Sequence, residues 1–275
     1  MIYQMSTPPP PTLSAKENWE RVYRDLARYQ DLYLYQQQLV ELICEKIPAL
    51  RDARILEVGC GKGNEIVQLA KRGGACLGLD FSESAMAWMQ TRLAKEGMRM
   101  PLIRGDARRL PFKIASFDLV FSQGVLEHFA NPGDVLQEQR HVMRNGGIIV
   151  IEVPNKWNVY TIYKKILLAM NRWPPGWETE YSPRELKVLL RQNGFEVLDC
   201  VGWDFFIVKI FRKLRKILGL KDKLESPFAR SLRRRLQRNP ILLNFFLSLT
   251  IVARKKDGGE HNANFRTYSR HTRVH

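Results

Sequence analysis

The sequence predicts an α/β domain: a doubly wound, mainly parallel sheet with helices on both faces. Three observations predict it. From Arg54 onward, short apolar runs alternate with helical stretches. A glycine-rich turn, Gly59-Cys60-Gly61-Lys62-Gly63, joins the first run to the first of those helices. Acids stand at or beside the ends of the first three runs, as Glu57, Asp80 and Asp106.

Taken in order, residues 1–14 hold Pro8-Pro9-Pro10-Pro11 and little to bury, so they read as a flexible or polyproline arm. Residues 15–256 read as one domain. Its first part, 15–50, is a helical lid, with Trp19, Tyr23, Leu26, Tyr29 and Tyr33 at helical spacing until Pro48 ends the pattern. The strand-like runs that follow are Arg54–Val58, Cys76–Asp80, Pro101–Arg104, Phe117–Phe121 and Ile148–Val153. Helices are expected between them at Lys62–Arg72, Ser84–Lys95 and Gly133–Met143, with Ser82 as a cap for the second. Residues 155–181 read as an irregular aromatic cap holding Trp157, Tyr160, Tyr163, Trp173 and Trp177. Ser182-Pro183-Arg184-Glu185 then opens a helix, with serine as cap and proline in the first turn. Phe195–Val201 is a sixth strand, 205–246 a basic helical insertion and Leu247–Ala253 a seventh strand. The polar tail 257–275 is expected to be disordered.

The bulk numbers set bounds. At 275 residues and 45% hydrophobic, the chain buries a real core, which excludes global disorder. Cys44, Cys60, Cys76 and Cys200 are scattered, which gives neither a zinc site nor a disulfide framework and suits a reducing compartment. The start has no secretory pattern, and Ile241–Ala253 is too short to span a bilayer, which takes roughly 20 residues. The expected location is therefore cytoplasmic. No His/Asp/Glu cluster has ligand spacing, so no metal is expected. Net charge is +16, and Lys209–Arg238 alone holds twelve Lys or Arg against two acids. That concentration calls for an anionic partner, a membrane surface or a nucleic acid, unless it is simply a solvated face.

The glycine turn lets a ligand lie against bare backbone near helix-start amides. Glu57 beside it would repel a pyrophosphate and suits a ligand carrying an ammonium group. The third glycine of a dinucleotide fingerprint falls on Asn64. Asp80 lies 21 residues after Gly59, where a strand-end acid can accept both ribose hydroxyls. Asp106, with the backbone N–H of Ala107 beside it, can read the amino group and a ring nitrogen of adenine. Either aspartate would also serve as a turn or cap residue. The expected ligand is a nucleoside cofactor without phosphates.

These residues resemble the class I S-adenosylmethionine-dependent methyltransferases. The likeness runs from Ile55 to about Asn155, through Gly78-Leu79-Asp80, Gly105-Asp106-Ala107, Phe117-Asp118-Leu119-Val120 and Gly124-Val125-Leu126-Glu127-His128. It implies a Rossmann-like sheet of order 3-2-1-4-5-7-6 with the seventh strand antiparallel. It implies S-adenosyl-L-methionine as cofactor, with Glu57, Gly59 and Gly61 facing its methionine part, Asp80 its ribose, Asp106 with Ala107 its adenine, and Cys60 in the cofactor-binding set. Phe81 looks like the residue against the adenine ring, its alternative being an ordinary core aromatic. Gln123 joins the cofactor-binding set.

In such an enzyme the protein aligns a nucleophile and excludes water. Glu127 and His128 stand where the methyl group should emerge; His128 is the candidate general base, unless the pair only braces the pocket mouth. Ser122-Gln123-Gly124-Val125 replaces the Asn or Asp-Pro-Pro-aromatic loop of base-amine methylases. Val125 to Phe129 is similar to the loop of the ubiquinone- and menaquinone-type small-molecule methyltransferases. The expected acceptor is small and hydrophobic or lipid-like, methylated on oxygen or carbon. A helix over 206–220 carries Ile207, Ile210, Phe211, Leu214, Ile217 and Leu218 on one side and lysines and arginines on the other. It either lies on an anionic membrane through 206–238, placing the enzyme peripherally on the inner face, or packs on its own sheet. The competing readings are an RNA methyltransferase using the basic segment and a non-catalytic adaptor.

Overall fold

A computed structural model describes residues 15–24, 36–170, 178–203 and 227–256. The helices are α1 (Ala15–Arg24), α2 (Gln36–Lys46), α3 (Asn64–Lys71), α4 (Glu83–Lys95), α5 (Pro132–Val142), α6 (Val159–Ala169), α7 (Pro183–Gln192) and α8 (Pro227–Leu236). The strands are β1 (Arg54–Val58), β2 (Ala75–Asp80), β3 (Leu102–Arg104), β4 (Phe117–Gln123), β5 (Met143–Pro154), β6 (Phe195–Trp203) and β7 (Ser248–Lys255). They form one sheet of order β3-β2-β1-β4-β5-β7-β6. β1 to β5 run parallel, and β7 is antiparallel to both β5 and β6. This is the doubly wound sheet that the strand–helix alternation predicts.

Side-chain alternation along each strand divides the core into two layers. Leu56 and Val58 of β1, Val120 of β4 and Ile149, Ile151 and Val153 of β5 pack with Val135, Leu136 and Val142 of α5 and Leu186 and Leu190 of α7. On the opposite face Ile55, Leu119, Phe121 and Val150 meet Leu39, Val40 and Ile43 of α2, Ile66, Val67 and Leu69 of α3 and Met89 of α4. By the same alternation Glu57 and Glu152 project to this second face, at the carboxyl ends of their strands. Ligands of such sheets bind at those ends.

Several boundaries differ from the expectation for local reasons. The helix expected from Lys62 begins at Asn64, because Gly63 takes a left-handed conformation (φ 62°) and caps it. β5 starts at Met143 rather than Ile148: Met143 pairs with Phe117 ahead of a bulge, and Gly146-Gly147 conceals the run. The aromatic segment after β5 is not irregular throughout. Asn158 Oδ1 accepts from the Thr161 amide at 2.9 Å and starts α6. Ser82 and Ser182 cap α4 and α7 as expected, the latter in a capping box with Glu185. The lid gives two helices, α1 and α2. The arm 1–14, the basic helix 206–220 and the tail 257–275 lie outside the described residues, as do Trp173 and Trp177 of the cap.

Candidate functional site

β1 delivers the chain to Gly59 (φ 73°), whose amide donates to Leu79 O at 2.7 Å; the next amide, of Cys60, donates to the same carbonyl at 2.9 Å. The turn is thereby stitched to β2. The tip of β2 returns the tie, since Asp80 Oδ2 accepts from Gly61 N at 2.8 Å and Oδ1 from Ser82 N at 2.9 Å. Burial holds the Asp80 carboxyl above its ordinary value despite these bonds. Each oxygen keeps lone pairs for a ligand hydroxyl. Glycine is required twice here by close approach. A Cβ on Gly59 would collide with Val125 Cγ2, and one on Gly61 with the Tyr23 hydroxyl.

A cavity of about 640 Å³ opens above this turn, a volume typical of a small-molecule site. It brings together Glu57, Gly59, Cys60, Gly61, Asp80, Phe81, Asp106, Ala107, Gln123 and His128. Of the residues singled out in the sequence, Glu127 alone is not in its wall. Leu126–His128 form a 3₁₀ turn, in which successive side chains diverge by roughly 120°. His128 faces the cavity; Glu127 is buried on another side, and its carbonyl accepts from Thr179 N at 2.8 Å. Burial first, and the Glu127 carboxylate second, hold the Tyr181 phenol above its ordinary value. The Glu127 backbone thus ties the turn to the 178–181 segment, and its side chain is not among the residues lining the cavity.

Glu57 is 2% exposed, and its Oε2 has no hydrogen-bond partner. Burial, and after it the charge of Glu65, push its carboxyl well above the ordinary range. A buried carboxylate facing a cavity needs a cation or a proton. Gln123 donates Nε2 to Glu152 Oε2 at 3.1 Å, so its amide organises the neighbouring acid. Burial pushes Glu152 to about 7. Cys60 fills the space over Gly78, and burial raises its thiol well above the ordinary value. Asp106 is gripped by Arg108, with Nη2 at 2.6 Å from Oδ2, which holds the carboxyl below its ordinary value.

The sequence reading placed Trp19 and Tyr23 in a lid but missed their place in the wall. Four residues apart on α1, they share one helix face and both line the cavity. Glu20 between them anchors the helix: its carboxylate accepts from Glu83 N at 2.7 Å and Ser84 N at 3.3 Å, at the start of α4. Burial opposes ionisation of Glu20, but hydrogen bonds from Ser84 and Glu83 outweigh it and lower its pKa. The sequence signal for this anchor was weak, one of two acids in an amphipathic helix.

The residues fit an adenosyl sulfonium amino acid: an unpartnered acid for an ammonium, a strand-tip acid for ribose and bare glycine backbone between them. Among the described residues no group of three or more His, Cys, Asp or Glu could hold a metal ion. Residues 56–151 match the methyltransferase domain family. The chain is 30% identical over 158 residues to a ubiquinone biosynthesis O-methyltransferase of Roseobacter denitrificans, covering 55% of this chain and 63% of that protein. It thus spans less than two thirds of that relative. Its fold is similar to phosphoethanolamine N-methyltransferase 2 of Haemonchus contortus in complex with S-adenosyl-L-methionine, with TM-score 0.65 and 16% identity, covering 89% and 60% of the two chains. Magnesium protoporphyrin IX methyltransferase of Synechocystis PCC 6803 with bound SAH is similar at TM-score 0.59 and 14% identity, covering 88% and 100%.

Proposed function

We propose that this chain, which carries a class I S-adenosylmethionine-dependent methyltransferase domain, methylates an oxygen or carbon of a small hydrophobic or lipid-like acceptor at a membrane surface. The observation that carries the reading is the meeting of Glu57, Asp80 and Asp106, from the tips of three adjacent strands, with His128 around one cavity. S-adenosylmethionine supplies a methyl group already activated by its sulfonium. Glu57 would face the ammonium, Asp80 the ribose hydroxyls, and Asp106 with the Ala107 amide the adenine edge. Phe81 supplies a flat wall beside them. His128 would receive the acceptor's proton, while Trp19 and Tyr23 shield the site from water.

Two observations support the acceptor class. The His128 end of the cavity is walled by Trp19, Val125 and Phe129, which favours an apolar acceptor. The similar ubiquinone biosynthesis O-methyltransferase favours oxygen as the atom methylated. For the membrane, Ile162 and Ile166 along α6, with Met170 just past its end, and Phe228, Leu232 and Leu236 along α8 form exposed stripes at four-residue spacing. α8 has no acid and ends in Arg233, Arg234 and Arg235. Apolar stripes beside arginines suit anionic lipid, at about 1 kcal/mol per well-placed cation. Among the described residues no helix is long and apolar enough to cross a membrane.

The test is incubation of the full chain with radiolabelled methyl donor and fractionated cell extract. Label in the lipid-extractable fraction is the expected result. Label in RNA would overturn the acceptor class, and no label in any fraction would overturn the enzymatic reading.

A further inference from the structure

A second acid faces the same cavity and has no part in the site built above. Glu65 sits in the first turn of α3, is 4% exposed and lines the cavity beside Glu57. Its Oε1 has no hydrogen-bond partner, and neither does Oε2 of Glu57. The two carboxylates act on each other, the charge of Glu65 being the largest electrostatic influence on Glu57. Two buried acids with a free oxygen each are costly unless a cation sits between them.

Among the described residues no cationic group bonds either free oxygen. Arg92 is the guanidinium that acts on both, but it is already committed. Its Nη1 donates to Lys62 O and to Asn64 Oδ1, each at 2.8 Å, and its Nε to Glu96 Oε1 at 2.8 Å. Lys62 lines the cavity too, yet burial is what shifts its ammonium, downward, and no carboxylate enters that balance. Glu152, the remaining acid nearby, accepts from Gln123 Nε2 and Ser248 Oγ and raises Glu65 further by its charge.

We infer that Glu65 and Glu57 together form a two-carboxylate receptor for the ammonium group of the cofactor's methionine part. An ammonium carries three donors, so it can serve Glu57 Oε2, Glu65 Oε1 and one further acceptor at once. The pair thereby selects ligands that carry the amino-acid tail over nucleosides that lack it. A site of this kind discriminates strongly, because a ligand without the ammonium leaves buried acceptors unpaired. The inference rests on the proposed function, since it takes an adenosyl amino acid as the ligand.

The experiment is calorimetry on the full chain with two probes. S-adenosylhomocysteine carries the ammonium; 5′-deoxy-5′-methylthioadenosine has the same nucleoside without the amino-acid tail. Wild type should prefer the former clearly. Glu65→Gln should lose about tenfold or more in affinity for S-adenosylhomocysteine, with methylthioadenosine changed less than about twofold. Glu57→Gln should show the same pattern. If Glu65→Gln keeps the wild-type preference, or weakens both probes equally, the receptor is wrong while the cofactor reading stands. If wild type binds neither probe, the proposed function itself fails. Should Glu65→Gln not fold, Glu65→Met is read by the same outcomes.

Discussion

Trp19 meets His128 edge to face, with ring centroids 5.1 Å apart and planes at 84°. The contact links the lid helix to the catalytic candidate, because Trp19 is buried and its helix is anchored through Glu20 on α4. His128→Ala should lower the methyl-transfer rate more than about tenfold with cofactor affinity within about twofold. Trp19→Ala should both lower the rate and weaken cofactor binding, since it loosens the lid as well as the imidazole. Steady-state kinetics beside calorimetry separates the two. A loss below tenfold for His128→Ala would remove the base from the account.

Gly61→Ala tests the turn. Its φ of 45° costs an alanine about 1–2 kcal/mol, and the new Cβ meets the Tyr23 hydroxyl. Cofactor affinity should fall at least about tenfold. Removing the obstruction with Tyr23→Ala should make the double variant less impaired than the two single losses added together, because the pair is in contact. Additive losses would show that Tyr23 does not close on the turn.

The buried acids predict a pH dependence. Glu152 titrates at about 7 in the folded chain against an ordinary value of 4.5. Between those values the folded chain holds a proton that the unfolded chain has released. Its contribution is fully present below about pH 4.5 and is lost as pH rises through about 7, on the order of 3 kcal/mol in all. Glu65, raised by burial to about 7 as well, acts in the same direction. Denaturant unfolding across that window should show Glu152→Gln losing less stability than wild type. Parallel profiles would contradict the assignment.

Phe228→Ser combined with Leu232→Ser removes two members of the exposed α8 stripe. Flotation with vesicles containing anionic lipid should drop several-fold, with the unfolding temperature unchanged because neither residue is buried. Equal flotation by wild type and variant would remove α8 from membrane contact.

Much of this was legible in the sequence. Strand–helix alternation carried the parallel part of the sheet, and the resemblance of Ile55 to Asn155 carried the order with β7 antiparallel. Glu57, Asp80 and Asp106 announced themselves because each stands at or beside a strand end, where periodicity of two gives way to a turn. What escaped notice depends on contacts far apart in the chain. Trp19 reaches His128 across more than a hundred positions, and no local pattern encodes that meeting. Glu65 looked like an ordinary acid in a helix's first turn, favourable to the dipole; its burial, with Glu57 and Glu152 within electrostatic reach, exists only in the fold. Glu127 adjoins His128 in sequence, but the 3₁₀ turn separates their directions, so of the two only His128 lines the cavity.

The most direct measurement is a crystal structure of the full chain grown with S-adenosylhomocysteine. The ribose hydroxyls should lie at Asp80, the adenine edge at Asp106 and Ala107, and the ammonium at Glu57. A cavity that excludes this ligand but admits a nicotinamide dinucleotide, its pyrophosphate against the Gly59–Gly63 turn, would contradict it.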